Sequence, residues 1–121
     1  MTLGAEASKE RYKEHKDFFK NGIKDKNKYP GWYIMGMYIA TYHLTCYYFQ
    51  KKFSGNRFGV SEKDWEDVYN LNGKLNILSN DFRVFKNCCN RFLFSSLSAS
   101  VQDVRVAENA FLKLEQELLA S

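Results

Sequence analysis

Apolar residues recur along this chain at alternating steps of three and four, the spacing that aligns side chains on one face of an α-helix. Trp32, Met35, Ile39, Tyr42, Cys46, Phe49 and Phe53 form the longest such stripe. A second stripe, Tyr33, Met37, Ala40, Leu44 and Tyr47, follows another face of the same stretch, leaving a narrow polar strip around Thr41, Thr45, Tyr48 and Lys52. The pattern predicts one long helix from Trp32 to Phe53, contacted on most sides, with the other helices arranged around it. By projection its apolar arc is centred on His43, which is expected to face the core.

Three further helices follow from the same arithmetic. Ala5, Ser8, Tyr12, His15 and Phe19 predict a first helix over residues 5–21, with Gly22 as its stop and Ile23 packing as the chain leaves. Pro30 falls where a helix start tolerates it. Ser54 to Gly59 reads as a loop, and Ser61 with Asp64 resembles an N-cap opening a short helix through about Tyr69. Asn72-Gly73 breaks it. Leu75, Leu78, Phe82, Phe85, Cys89 and Phe92 predict a third long helix, which could divide only at Ser79-Asn80-Asp81. Ser100 with Asp103 makes a cap-like start for a fourth helix that buries Val101, Val104, Ala107, Phe111, Leu114 and Leu118. The expected architecture is all-α: a four-helix up-and-down bundle with a short extra helix in the connection between the second and third.

Composition narrows this picture without redirecting it. With 121 residues, 45% apolar content and one proline, the chain reads as a single domain of long helices over residues 1–121. Residues 29–50 carry no Asp, Glu, Lys or Arg, and that length would span a bilayer. The run nevertheless holds His43, Gln50, two threonines and six tyrosines, polar atoms that suit a protein interior better than lipid, so no membrane span is expected. The net charge is +4, with interspersed signs and an acidic excess only after residue 100; such a surface suits weak contact with an acidic partner or nucleic acid. Cys46, Cys88 and Cys89 form no CxxC pair, and there is no signal-peptide pattern, so a reducing, cytoplasmic setting is expected.

The second helix, W-Y-I-M-G-M-Y-I-A-T-Y-H-L-T-C-Y-Y-F, resembles that of small HEPN-like proteins, whose aromatic-rich helix carries a Tyr-x-Ala-x-x-His core matched here by Tyr38, Ala40 and His43. The third helix is similar in its aromatic-Arg step, Phe82-Arg83, and the Tyr29-Pro30-Gly31-Trp32 entry also fits. The resemblance implies a bundle that commonly forms homodimers, within a superfamily whose active members are metal-independent ribonucleases, often toxins in defence systems. Those enzymes use an Arg followed four to six residues later by His. Arg83, Arg91 and Arg105 lack such a His; His15 follows Arg11 at four positions, but on the first helix, the wrong place for the family's site. The departure favours a non-catalytic branch.

The candidate ligand- or partner-binding residues are Tyr38, His43, Arg83, Lys86 and Arg91. His43 in an apolar arc is expected to be neutral and hydrogen-bonded, either as a core histidine or as part of a pocket. Arg83, Lys86 and Arg91 lie on the polar side of the third helix, as a solvated face or a phosphate-binding patch. Adjacent Cys88 and Cys89 point about 100° apart, no Cys/His spacing resembles a metal site, and no cofactor motif is present. Expected is a non-catalytic homodimer that binds a protein or RNA partner. The alternatives are a ribonuclease or toxin component built from His43 with Arg83 or Arg91, and a small RNA-binding subunit of a larger complex.

Overall fold

A computed structural model describes residues 3–52, 78–93 and 99–120. Among them are four α-helices and no strand: α1 (Leu3–Asp17), α2 (Pro30–Lys52), α3 (Ser79–Leu93) and α4 (Val101–Leu119). The expected short helix over 61–69, together with Phe53 and Leu75, lies outside the described residues. The all-α bundle is the observed fold.

Helix starts and stops follow local chemistry. Ser100 and Asp103 form a capping box at α4: the Asp103 N–H donates to the Ser100 hydroxyl (3.2 Å), and the Ser100 N–H donates to the Asp103 carboxylate (2.8 Å). The Ser100 N–H and hydroxyl, both donating to the Asp103 carboxylate, hold it below its ordinary pKa. Pro30 opens α2, as expected of a residue with no N–H to lose there. The first helix departs from expectation at its end. The α-helix stops at Asp17 and continues to Gly22 as a wider π turn, Phe18–Gly22, closed by the Ile23 N–H donating to the Phe18 carbonyl (3.1 Å).

That turn delivers Phe19 to the centre of the bundle. Phe19 is fully buried, with its ring set edge-on to Tyr33 (5.2 Å) and to Phe111 (5.4 Å). Gly36 on α2 makes room for it, since a Cβ there would lie 2.5 Å from the Phe19 Cβ. At the other end of the same pair, Ser8 donates to the Gln50 side chain (2.8 Å), so α1 and α2 run antiparallel. Asp81 faces Lys113 (3.6 Å) and the Cys88 thiol reaches the Asp103 carbonyl (3.4 Å), so α3 and α4 also run antiparallel.

The core selects a different face of α2 from the one the longest stripe indicated. Tyr33, Ile34, Met37, Ala40, Leu44 and Tyr48 are buried, whereas Trp32 and Met35 are exposed and Ile39 and Tyr42 only half covered. Thr41 and Thr45, expected on a polar strip, are fully buried. Their hydroxyls donate to the carbonyls one turn back, Met37 (2.8 Å) and Thr41 (2.9 Å), which removes the cost of burying them and leaves small side chains where neighbouring helices approach. On α4 the expected set Val104, Ala107, Phe111, Leu114 and Leu118 is buried, but Val101 is exposed. No described helix is long and apolar enough to cross a membrane.

Candidate functional site

Polar chemistry inside the bundle is concentrated on two glutamates one heptad apart on α4. Glu108 accepts hydrogen bonds from the Tyr33 hydroxyl (2.6 Å) and the Lys26 ammonium (2.9 Å), with Lys20 at 3.9 Å. Glu115 accepts from the Tyr12 hydroxyl and faces Lys16 at 2.7 Å. Burial alone would raise the Glu108 pKa, but the donors and the two lysine charges outweigh it and hold the carboxyl below its usual value. Burial and the facing carboxylates push the Tyr12 and Tyr33 hydroxyls well above their ordinary range. Each Tyr–Glu–Lys set therefore ties α4 to α1 or to the α1–α2 turn through a fixed charge pair. Burial and these bonds keep the tyrosine protons on oxygen, so each hydroxyl acts as donor to its carboxylate.

His43 is half-buried at the α1–α2 interface, outside the deepest core. Its ring stacks on His15 of α1 at 5.3 Å with the planes 6° apart, and the edge of Tyr42 meets it at 5.3 Å. Burial first, then the His15 and Arg11 charges, lower its pKa; Glu14 opposes them weakly. The charges acting on His43 thus come from α1, one turn of which carries Arg11, Glu14 and His15. Arg91 acts on Cys88 and Asp103 at the α3–α4 contact and lies over Phe92 (5.9 Å). Tyr38 stacks on Phe85 at 6.5 Å, between α2 and α3, while Arg83 is exposed and Lys86 half-buried on α3. The five expected residues therefore divide into His43 with α1, and Tyr38 with the α3 side. His15 and Arg11, four residues apart on α1, are thus the neighbours of His43.

Among the α2 tyrosines, Tyr33 donates to Glu108, and Tyr42 bonds to Cys46 and is pushed up to about 12, mainly by burial. The Tyr48 hydroxyl has no partner among the described residues. Cys46, Cys88 and Cys89 form no disulfide among the described residues, and burial raises the Cys88 thiol and raises Cys89 further. Among the described residues no group of three or more His, Cys, Asp or Glu is placed to hold a metal ion.

The largest feature that periodicity misassigned is outside the core. Trp32, Tyr29 and Phe18 are 58%, 49% and 46% exposed, and they line one open groove of about 700 Å³ where the π turn leads into α2. Its lining is mostly apolar, and Lys24, Asp25 and Lys28 complete it. Aromatic rings left in water at one end of a bundle are the usual raw material of an interface. No protein-family model, curated protein or solved structure matches this chain.

Proposed function

We propose that this chain is a non-enzymatic, HEPN-like helical-bundle protein that acts by binding a macromolecular partner through the aromatic groove at the α1–α2 turn. The observation that carries the reading is the exposure of Trp32, Tyr29 and Phe18 in a single groove. The two carboxylates of α4 support it from the other side, since Glu108 and Glu115 are engaged in joining helices. The homodimer implied by the resemblance belongs to the same proposal, and light scattering across a range of concentrations tests it. Affinity capture with the wild-type chain and a Trp32→Glu variant tests the groove itself. A partner held by the first and lost by the second is expected; equal retention by both would overturn the assignment.

A second reading has one specific observation in its favour. His15 and His43 are stacked with Arg11 one turn away, which gives the ribonuclease alternative a more compact cluster than His43 with Arg83 or Arg91. Incubation with total RNA decides it: cleavage abolished by His15→Ala and by Arg11→Ala would replace the binding reading.

A further inference from the structure

The lysines around the groove are not equivalent. Residues 20–28 contain Lys20, Lys24, Lys26 and Lys28 against the single acid Asp25. Lys26 is bonded to Glu108 and Lys20 lies near the same carboxylate, so both charges are turned inward. The Asp25 carboxylate accepts the backbone N–H groups of Asn27 and Lys28, both at 3.1 Å, and is thereby occupied in shaping the turn. Lys24 and Lys28 remain on the groove, with the Lys28 ammonium 5.5 Å from the centre of the Tyr29 ring. The groove thus offers an aromatic floor edged by Lys24, Asp25 and Lys28, two cations against one carboxylate that the turn already engages, which leaves a net positive charge.

We propose that this groove receives a short acidic segment of a partner protein, its large apolar side chains seated against Phe18, Tyr29 and Trp32 and its carboxylates facing Lys24 and Lys28. The inference rests on the partner-binding reading and adds the partner's chemistry. Charge selects the occupant. A second copy docked face to face would set two linings of the same net positive charge against each other, a contact that opposes association. A nucleic-acid strand draws its affinity from several phosphate contacts, and two of the four lysines here already serve Glu108. An apolar anchor with acidic flanks satisfies both the floor and the rim, in the manner of an interface with an aromatic centre and a polar edge.

The test is selection of a random peptide phage library on the immobilised full chain, followed by affinity measurement with the most enriched peptide. Enriched sequences should be net acidic with two or more large apolar residues. Trp32→Ala should weaken the synthetic peptide by tenfold or more. Lys24→Ala with Lys28→Ala should weaken it several-fold and flatten its salt dependence. All three residues are exposed, and circular dichroism verifies that the variants fold. The proposal is overturned by neutral or basic enrichment, by no enrichment, or by binding indifferent to Trp32→Ala. Displacement of the peptide by labelled oligouridylate, or dimerisation abolished by Trp32→Ala, would overturn it in favour of nucleic acid or of a second copy. Capture that depends on Trp32 would stand through any of these failures, so the wider reading is judged separately.

Discussion

Replacing Gly36 with alanine sets two opposing effects against each other at one atom. In a helix interior alanine is favoured over glycine by about 0.8–1.0 kcal/mol, so an unobstructed site would gain stability. Here the new Cβ would lie 2.5 Å from the Cβ and 3.2 Å from two ring atoms of Phe19. Carbon atoms in contact rest near 3.5–4.0 Å, and Phe19 is fully buried between Tyr33 and Phe111. Its Cβ is one bond from the main chain, so relief requires movement of the π turn itself. Overpacking of that kind costs about 1–3 kcal/mol, occasionally more, and the geometry argues for about 3. The net expectation is a loss of about 2 kcal/mol, on the order of 6–12 °C in Tm for a chain of this length. Urea unfolding followed by circular dichroism should show a lower midpoint at unchanged slope. Gly31→Ala is the control, because no atom lies within 4 Å of its added Cβ. A neutral or stabilised Gly36→Ala variant would refute the close crossing and with it the packing of Phe19.

The glutamate pairs and His43 make three further predictions. Glu115→Ala should cost about 1–3 kcal/mol by leaving the buried Tyr12 hydroxyl without its acceptor, and adding Tyr12→Phe should recover much of that loss in denaturant titration. Glu108 is held below its unfolded pKa of about 4.3. Its contribution is therefore full above that value and is lost as pH falls through the depressed one. Urea midpoints of wild type and Glu108→Gln should converge as pH falls below about 4.3; a constant gap would contradict the pairing with Tyr33 and Lys26. His43 is lowered by burial, His15 and Arg11 against Glu14. The unfolded chain therefore takes up its proton first, and stability falls as pH drops below about 6.5. His43→Phe should remove that loss between pH 7 and pH 5, and parallel curves for the two proteins would show that the imidazole stack has no energetic consequence.

Helices α3 and α4 were legible in the sequence because each has one apolar face. Leu78, Phe82, Phe85 and Cys89 are buried as their spacing indicates, and so are Val104, Ala107, Phe111, Leu114 and Leu118. The Ser100–Asp103 cap was equally legible, being a contact between residues three apart. In helix α2 the second stripe, Tyr33, Met37, Ala40 and Leu44, is buried, whereas the first is buried at Cys46 and exposed at Trp32 and Met35. Apolar side chains on nearly every face give periodicity nothing to choose between, and two threonines that bond to their own helix look polar while fitting the core. The aromatic groove is hidden from periodicity because Trp32 fits the first stripe, while Phe18 and Tyr29 belong to neither stripe. The Glu108 and Glu115 pairs join residues 75 to 103 positions apart, a relation that sequence spacing does not encode.

Site-specific photo-crosslinking in cells tests the central claim most directly, with the photoreactive residue placed at position 32 in the groove or at position 112, an exposed leucine on α4 that does not line it. Position 32 should yield a discrete adduct heavier than the chain itself, suppressed by Phe18→Glu, while position 112 yields none. No adduct at position 32, or the same adduct from both positions, would contradict recognition through the aromatic end of the bundle.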